Sequence, residues 1–122
     1  MIGYVTLGTN DLPRAMAFYD ALLNPLGITR IMAFDRGHAW GVAMDKPALG
    51  VMTPFNGQPA TAGNGTMVAL VLDSRDKVAA AHARALALGG TDEGAPGPRG
   101  EGFYAGYCRN LDGNKLNFFC VG

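Results

Sequence analysis

Charge is what this chain has least of. Lysine, arginine, aspartate and glutamate make up 16% of the 122 residues, and ten basic side chains balance ten acidic ones. An average soluble domain carries about a quarter charged residues. With zero net charge and no Lys/Arg cluster, an electrostatic footprint for nucleic acid is absent. No apolar run approaches the roughly 18 residues that mark a membrane-spanning helix. A strand-like pattern already begins at residue 2, leaving no room for a secretory leader, so a soluble cytoplasmic protein is expected.

Cysteine is nearly absent too, with two in the chain. Cys108 and Cys120 fall on consecutive strands of an expected hairpin turning near Asp112-Gly113. In any sensible register they stand three or four residue pairs apart, roughly 10–13 Å at about 3.3 Å per residue. A disulfide needs Cα atoms within about 7 Å. Two buried free thiols are the expectation.

Glycine, in contrast, is abundant at 18 residues, about twice the usual share. Low charge and many glycines point to close backbone approaches and to an apolar surface covered by a partner subunit. One pattern also occurs twice, about 63 residues apart. Tyr4-Val5-Thr6-Leu7-Gly8 reads as a strand, Asn10 to Pro25 as an amphipathic helix, and Gly27 as its stop. The second copy has a strand over Met67 to Leu72, a helix over Arg75 to Leu88, and Gly89-Gly90 as the stop. Neither copy can bury its apolar face alone, so the two are expected to meet in a shared cup.

The first helix has Asn10 or Asp11 to cap it and Pro13 in its first turn, where no N–H is needed. Leu12, Ala15, Phe18/Tyr19, Leu22/Leu23 and Leu26 follow helical spacing, so one stripe faces a sheet. Ile28 to Phe34, His38 to Ala43 and Leu49 to Thr53 read as three short strands. Pro54 to Gly65, rich in Gly, Pro, Asn and Thr, reads as a linker. In the second copy Ser74 is the cap, and Val78, Ala81/His82, Ala85 and Leu88 form the buried stripe. Thr91 to Ala95 is a weak strand interrupted by the Pro96-Gly97-Pro98-Arg99-Gly100 loop, and Phe103 to Arg109 with Lys115 to Val121 make the last hairpin. The expected fold is α+β: two βαβββ modules, about 1–56 and 66–122, forming a curved mixed sheet with a central cup and the helices on its outer face.

The residues Tyr4-Val5-Thr6-Leu7-Gly8-Thr9-Asn10-Asp11-Leu12, Ala17-Phe18-Tyr19 and Leu26-Gly27 resemble the first module of the vicinal oxygen chelate superfamily. That group includes glyoxalase I, bleomycin-resistance proteins, fosfomycin-resistance enzymes and extradiol dioxygenases. Leu111-Asp112-Gly113-Asn114-Lys115-Leu116 looks like its closing turn, with Asn110-Leu111 where the usual pattern has Asp-Pro. The likeness spans essentially the whole chain and implies one glyoxalase/bleomycin-resistance-like domain.

Enzymes of that superfamily commonly hold a divalent metal with a His on the first strand of each module and a Glu on the last strand. The matching positions here are Tyr4, Met67 and Asn117. Thioether and amide groups are poor ligands for a hard or borderline cation. A further ligand is expected near the end of the first module, yet Pro47 to Leu72 contains no His, Asp, Glu or Cys. Of the two histidines, His82 lies on the helix stripe and reads as a packing residue. His38 sits beside Trp40 in a strand, either at the surface or in the cup. They have no ligand spacing between them.

The resemblance would place Tyr107 opposite Asn117, which requires an odd or bulged turn at 110–114; a two-residue turn would bring Cys108 there instead. Tyr107 is the favoured partner. With Tyr4, Thr6, Met67, Trp40, His38, Asn117 and Phe119, the cup would be aromatic and soft, suited to stacking on a flat organic molecule. Arg99 is the candidate for an anionic group on that molecule, and Arg109 shares the face near its rim. The expected function is a metal-free, small-molecule-binding homodimer. A metal-dependent glyoxalase-like lyase, isomerase or dioxygenase relative is one alternative, and a non-catalytic interaction dimer is another. No Gly-x-Ser-x-Gly elbow or phosphate-cradling glycine motif offers other chemistry.

Overall fold

Asp11 and Ser74 start the two helices in the same way, in a computed structural model that describes residues 1–122. The Asp11 carboxylate accepts the backbone N–H of Arg14 at 3.1 Å, and the Ser74 hydroxyl accepts that of Lys77 at 3.2 Å. Each bond satisfies one of the donors that a helix leaves open at its first turn. The first helix, α1, covers Leu12–Leu23 and tightens into a 3₁₀ turn over Asn24–Leu26. Gly27 ends that turn in the left-handed region at φ 77°, where any side chain would be strained. The second helix, α2, covers Arg75–Ala87.

The chain divides into two compact units, Met1–Thr61 and Ala62–Gly122. The first contains β1 (Tyr4–Gly8), α1, β2 (Thr29–Phe34), β3 (Gly37–Gly41) and β4 (Ala48–Met52). Its sheet order is β1-β4-β3-β2, with β1 parallel to β4 and the other pairs antiparallel. The second repeats the plan with β5 (Met67–Val71), α2, β6 (Thr91–Pro98), β7 (Phe103–Arg109) and β8 (Lys115–Val121). Its order is β5-β8-β7-β6, again with one parallel pair, β5 with β8. The fold is α+β, built of two βαβββ modules. No helix is long and apolar enough to cross a membrane.

Each helix covers one face of its own sheet. In the first unit Ala15, Phe18, Tyr19, Leu22 and Leu23 are buried from α1, facing Leu7, Leu49, Val51 and Trp40 on the strands. Removing a fully buried leucine such as Leu22 costs about 2–5 kcal/mol. In the second unit α2 buries mainly small residues, Ala81 and Ala85 with Val78 and His82. That lets it lie close to the sheet, whose helix side carries Leu116, Phe118, Cys108 and Cys120.

One expectation about the strands needs adjusting. β6 runs through the Pro-Gly stretch to Pro98, kept in the sheet by register shifts between Asp92 and Gly94 and between Gly94 and Gly97. The loop is therefore shorter, starting at Arg99. The cysteines stand as spaced: Cys108 pairs with Leu116 and Cys120 with Tyr104, and both are buried free thiols.

Candidate functional site

Side-chain size alternates sharply along β3. Gly37, Ala39 and Gly41 point to the face away from α1, and His38 and Trp40 to the face toward it. Ala39 pairs with Gly50, which pairs with Thr6; Gly37 pairs with Met52, which pairs with Gly8. The middle of the open face is thus a floor of glycine and alanine. Close packing enforces it: a Cβ on Gly37 would fall 2.0 Å from the Val51 carbonyl oxygen, and one on Gly50 would lie 3.1 Å from the Thr6 methyl.

Large side chains stand at the edges of this floor. Toward the ends of β1, β2 and β4 they enclose a cleft of about 420 Å³, lined by Tyr4, Thr6, Phe34, Arg36, Met52 and Phe55 among others. Tyr4 is 58% exposed and Phe55 88%. The Arg36 guanidinium donates to the Thr53 carbonyl at 2.6 Å and lies 5.2 Å from the Phe55 ring centre. The middle of the linker is pinned to the first unit. Asn10 donates its side-chain amide to the Ala60 carbonyl at 3.0 Å and accepts the Ala60 N–H at 2.7 Å.

Trp40 and His38 do not belong to this face. The Trp40 indole is 1% exposed, packs 5.6 Å from the Tyr19 ring of α1, and donates its N–H to the Asp20 carboxylate at 2.9 Å. His38, two residues away on the same strand, sits 6.4 Å from Trp40 on the helix side. Their expected place beside Tyr4 and Thr6 is off by one step of the alternation, and a one-step change of phase moves a side chain to the opposite face. Asp20 also pairs with the Arg30 guanidinium. Hydrogen bonds from Arg30 hold its carboxyl below the usual range against the opposing effect of burial, and the bond from Trp40 adds to them.

On the second unit the open face carries Met67, Ala69 and Val71 from β5, and Asn117 and Phe119 from β8. Tyr107 pairs with Asn117, as favoured from the sequence, because a five-residue turn separates Arg109 from Lys115. The Asn110 side chain builds that turn by accepting the N–H groups of Asp112 and Asn114. Asn117 is 1% exposed and donates to the Gly106 carbonyl at 3.4 Å. Phe119 stacks on Phe103 with ring centres 5.1 Å apart. Arg99 donates to the carbonyls of Ala95 at 2.6 Å and Pro98 at 3.3 Å, with its guanidinium 5.5 Å from the Tyr107 ring centre. Lys115 stands at 5.5 Å from the same ring. Arg109 is occupied by Glu93, at 2.6 Å.

Beneath this face, on the helix side, the His82 Nε2–H points at Asp92 Oδ1, 3.0 Å away, and at the Tyr107 carbonyl, 3.1 Å away. His82 is a satisfied packing residue, as its place on the helix stripe implied. The Asp92 carboxyl is held low by the Gly94 N–H and next by His82. The residues that the sequence reading missed are Phe34, Arg36, Met52 and Phe55 on the first unit and Lys115 on the second. Phe34 and Met52 carried a signal, since they alternate in phase with the small residues of the floor. Phe55 lies in a loop and carried none.

The family model for the glyoxalase/bleomycin resistance protein/dioxygenase superfamily matches residues 1–118. The chain belongs to this superfamily. A glyoxalase/bleomycin resistance protein from Albidiferax ferrireducens T118 is 38% identical, with a TM-score of 0.89 over 100% of this chain and 99% of that one. A putative glyoxalase from Bacillus halodurans shares the fold at 23% identity and a TM-score of 0.76, over 98% of this chain and 95% of that one. A lactoylglutathione lyase from Agrobacterium tumefaciens does so at 20% and 0.70, over 98% and 92%. None of the curated proteins matches the chain.

Superfamily membership raises the question of a metal. The positions that the resemblance assigns to its ligands hold a phenol, a thioether and a carboxamide, from Tyr4, Met67 and Asn117. No three histidine, cysteine, aspartate or glutamate side chains come together anywhere in the protein. These donors do not fit a divalent cation of the superfamily's kind.

Proposed function

We propose that this superfamily member binds a small, flat organic molecule without a metal and works as a homodimer. The observation that carries the reading is the open face of the first unit, with its glycine and alanine floor, its aromatic rim of Tyr4, Phe34 and Phe55, and its cleft of about 420 Å³. Ligand sites are typically apolar concavities of this size with a few polar groups at fixed places. Here the polar groups are the Thr6 hydroxyl, the Tyr4 phenol and Arg36. A lyase or dioxygenase mechanism would need a cation to polarise the substrate, and the donor set at Tyr4, Met67 and Asn117 argues against one. Exposed Val42 and Met44 support pairing with a second copy.

The test joins a ligand screen to metal analysis. Benzamide and related flat neutral aromatics are expected to raise the thermal midpoint, and Phe55→Ala is expected to reduce that rise without lowering the midpoint of the free protein. Stoichiometric zinc, nickel, manganese or iron that survives dialysis and disappears in Asn117→Ala would overturn the metal-free reading. A monomer in sedimentation at micromolar concentration would overturn the dimer.

A further inference from the structure

The geometry points to an oxyanion-binding subsite on the second unit, formed by Arg99, Lys115 and the Tyr107 hydroxyl. It would take the carboxylate or phosphate of an organic acid. This rests on the reading of the chain as a small-molecule binder and adds a second site, which takes an anionic ligand.

The subsite is built by an arrangement of β6 that leaves a seat for one guanidinium. Gly94 lies opposite Tyr107, and Gly97 opposite Ala105. A Cβ on Gly94 would lie 3.4 Å from Arg99 Nη2, and one on Gly97 would lie 3.1 Å from Nη1. With both positions bare, the Arg99 side chain folds back over its own strand. The carbonyls of Ala95 and Pro98 fix it there, 5.5 Å from the Tyr107 ring centre. Lys115 reaches the same ring at 5.5 Å from the neighbouring strand.

Two cations therefore flank one phenol ring, and no salt bridge ties either to a carboxylate. The two carboxylates of β6 are engaged elsewhere. Glu93 is held by Arg109, and Asp92 by His82 and the Gly94 N–H. An exposed arginine normally keeps its mobility, and ordering one beside a second positive charge is unfavourable until an anion joins them. Charge-assisted hydrogen bonds from a guanidinium, an ammonium and a phenol to one oxyanion are the strong class of polar contact. The apolar side of the ligand has a place as well. Met67 pairs with Lys115, Ala69 with Asn117 and Val71 with Phe119, so a strip of exposed apolar side chains continues from the cations.

The four tyrosines make one experiment sufficient. In ¹H–¹³C spectra of tyrosine-labelled protein, Tyr107 reports this subsite, Tyr4 the cleft on the first unit, and buried Tyr19 the integrity of the fold. The probes are benzoate, phenyl phosphate and neutral benzamide. Benzoate or phenyl phosphate is expected to move the Tyr107 signal saturably, and whichever binds more tightly identifies the oxyanion. Benzamide is expected to leave that signal in place. Arg99→Ala and Lys115→Ala should each weaken anion binding about tenfold with Tyr19 unmoved. The tighter anion should also bind more weakly as salt is raised.

The subsite is overturned if neither anion moves Tyr107, if benzamide moves it equally, or if both variants bind as the wild type does. Movement of Tyr4 with an unmoved Tyr107 would remove the oxyanion subsite and leave the small-molecule reading standing. Stillness of both signals with all three probes would remove both.

Discussion

Trp40→Phe separates packing from ligand contact in one substitution. The indole is 1% exposed, and its N–H donates to Asp20 at 2.9 Å. Phenylalanine keeps a ring against Tyr19 but loses the donor and leaves part of the space under α1 empty. A hydrogen bond to a charged acceptor is worth about 1.5–3 kcal/mol, here at the lower end because Asp20 is partly open to water. The unfilled volume adds about 1 kcal/mol. The expected loss is thus about 2.5 kcal/mol, a large share of the roughly 5–15 kcal/mol that holds a domain folded. Urea unfolding followed by far-ultraviolet circular dichroism should show a lower midpoint with an unchanged slope. Benzamide should shift Tyr4 as it does in the wild type, since Trp40 faces α1.

The same pair predicts a pH dependence. Hydrogen bonds from Arg30, and less so from Trp40, hold the Asp20 carboxyl low in the folded protein. Stability from a carboxyl with a depressed folded pKa is complete above its unfolded value and is lost as pH falls through the folded one. The loss therefore sets in below about pH 4 and should be shallower in Trp40→Phe. A variant with wild-type stability and weakened benzamide binding would refute this reasoning and put the indole on the ligand side.

Two further outcomes follow from close packing. Gly37→Ala would force a methyl to within 2.0 Å of the Val51 carbonyl oxygen, so a loss of about 3 kcal/mol or more is expected in the same urea titration. A wild-type midpoint would show that β3 and β4 are farther apart than described. Burial, with Asp92 adding to it, pushes the Cys108 thiol up to about 11, and Cys120 is 3% exposed. Ellman's reagent at pH 8 should therefore find no reactive thiol in the native protein and two in guanidinium. A fast-reacting native thiol would contradict the burial of this sheet face.

Much of the architecture was legible because its signals are local. Asp11, Pro13, Ser74 and Gly27 mark helix ends through backbone hydrogen bonding and φ, which depend on few neighbours. The pairing of Tyr107 with Asn117 followed from the family resemblance, whereas the residues alone left open a two-residue turn at Asp112-Gly113 that would have brought Cys108 there. The phase of β3 was harder. His38 and Trp40 are large and amphipathic, properties that suit a ligand face as well as a helix face, and residue type alone does not choose. The flanking Gly37, Ala39 and Gly41 held the answer, since a face packed under α1 needs volume and these three have almost none. The anion seat was half legible. Arg99 stood out in its loop, but Gly97 read as a loop residue until β6 was seen to run through it. The partnership of Lys115 with Tyr107 depends on a diagonal across two strands.

The bare floor of the first unit gives its two sheet faces different freedoms to change. On the helix side Leu7, Trp40, Leu49 and Val51 are locked into a core where each lost methylene is felt. On the open side the floor is main chain and methyl groups, whose shape the fold itself dictates. The cleft is given its character by a few rim side chains at strand ends and in a loop. Exchanging Tyr4, Phe34 or Phe55 would alter what the face accepts while leaving the packing under α1 untouched. One scaffold can in this way be refitted for different molecules without being restabilised each time.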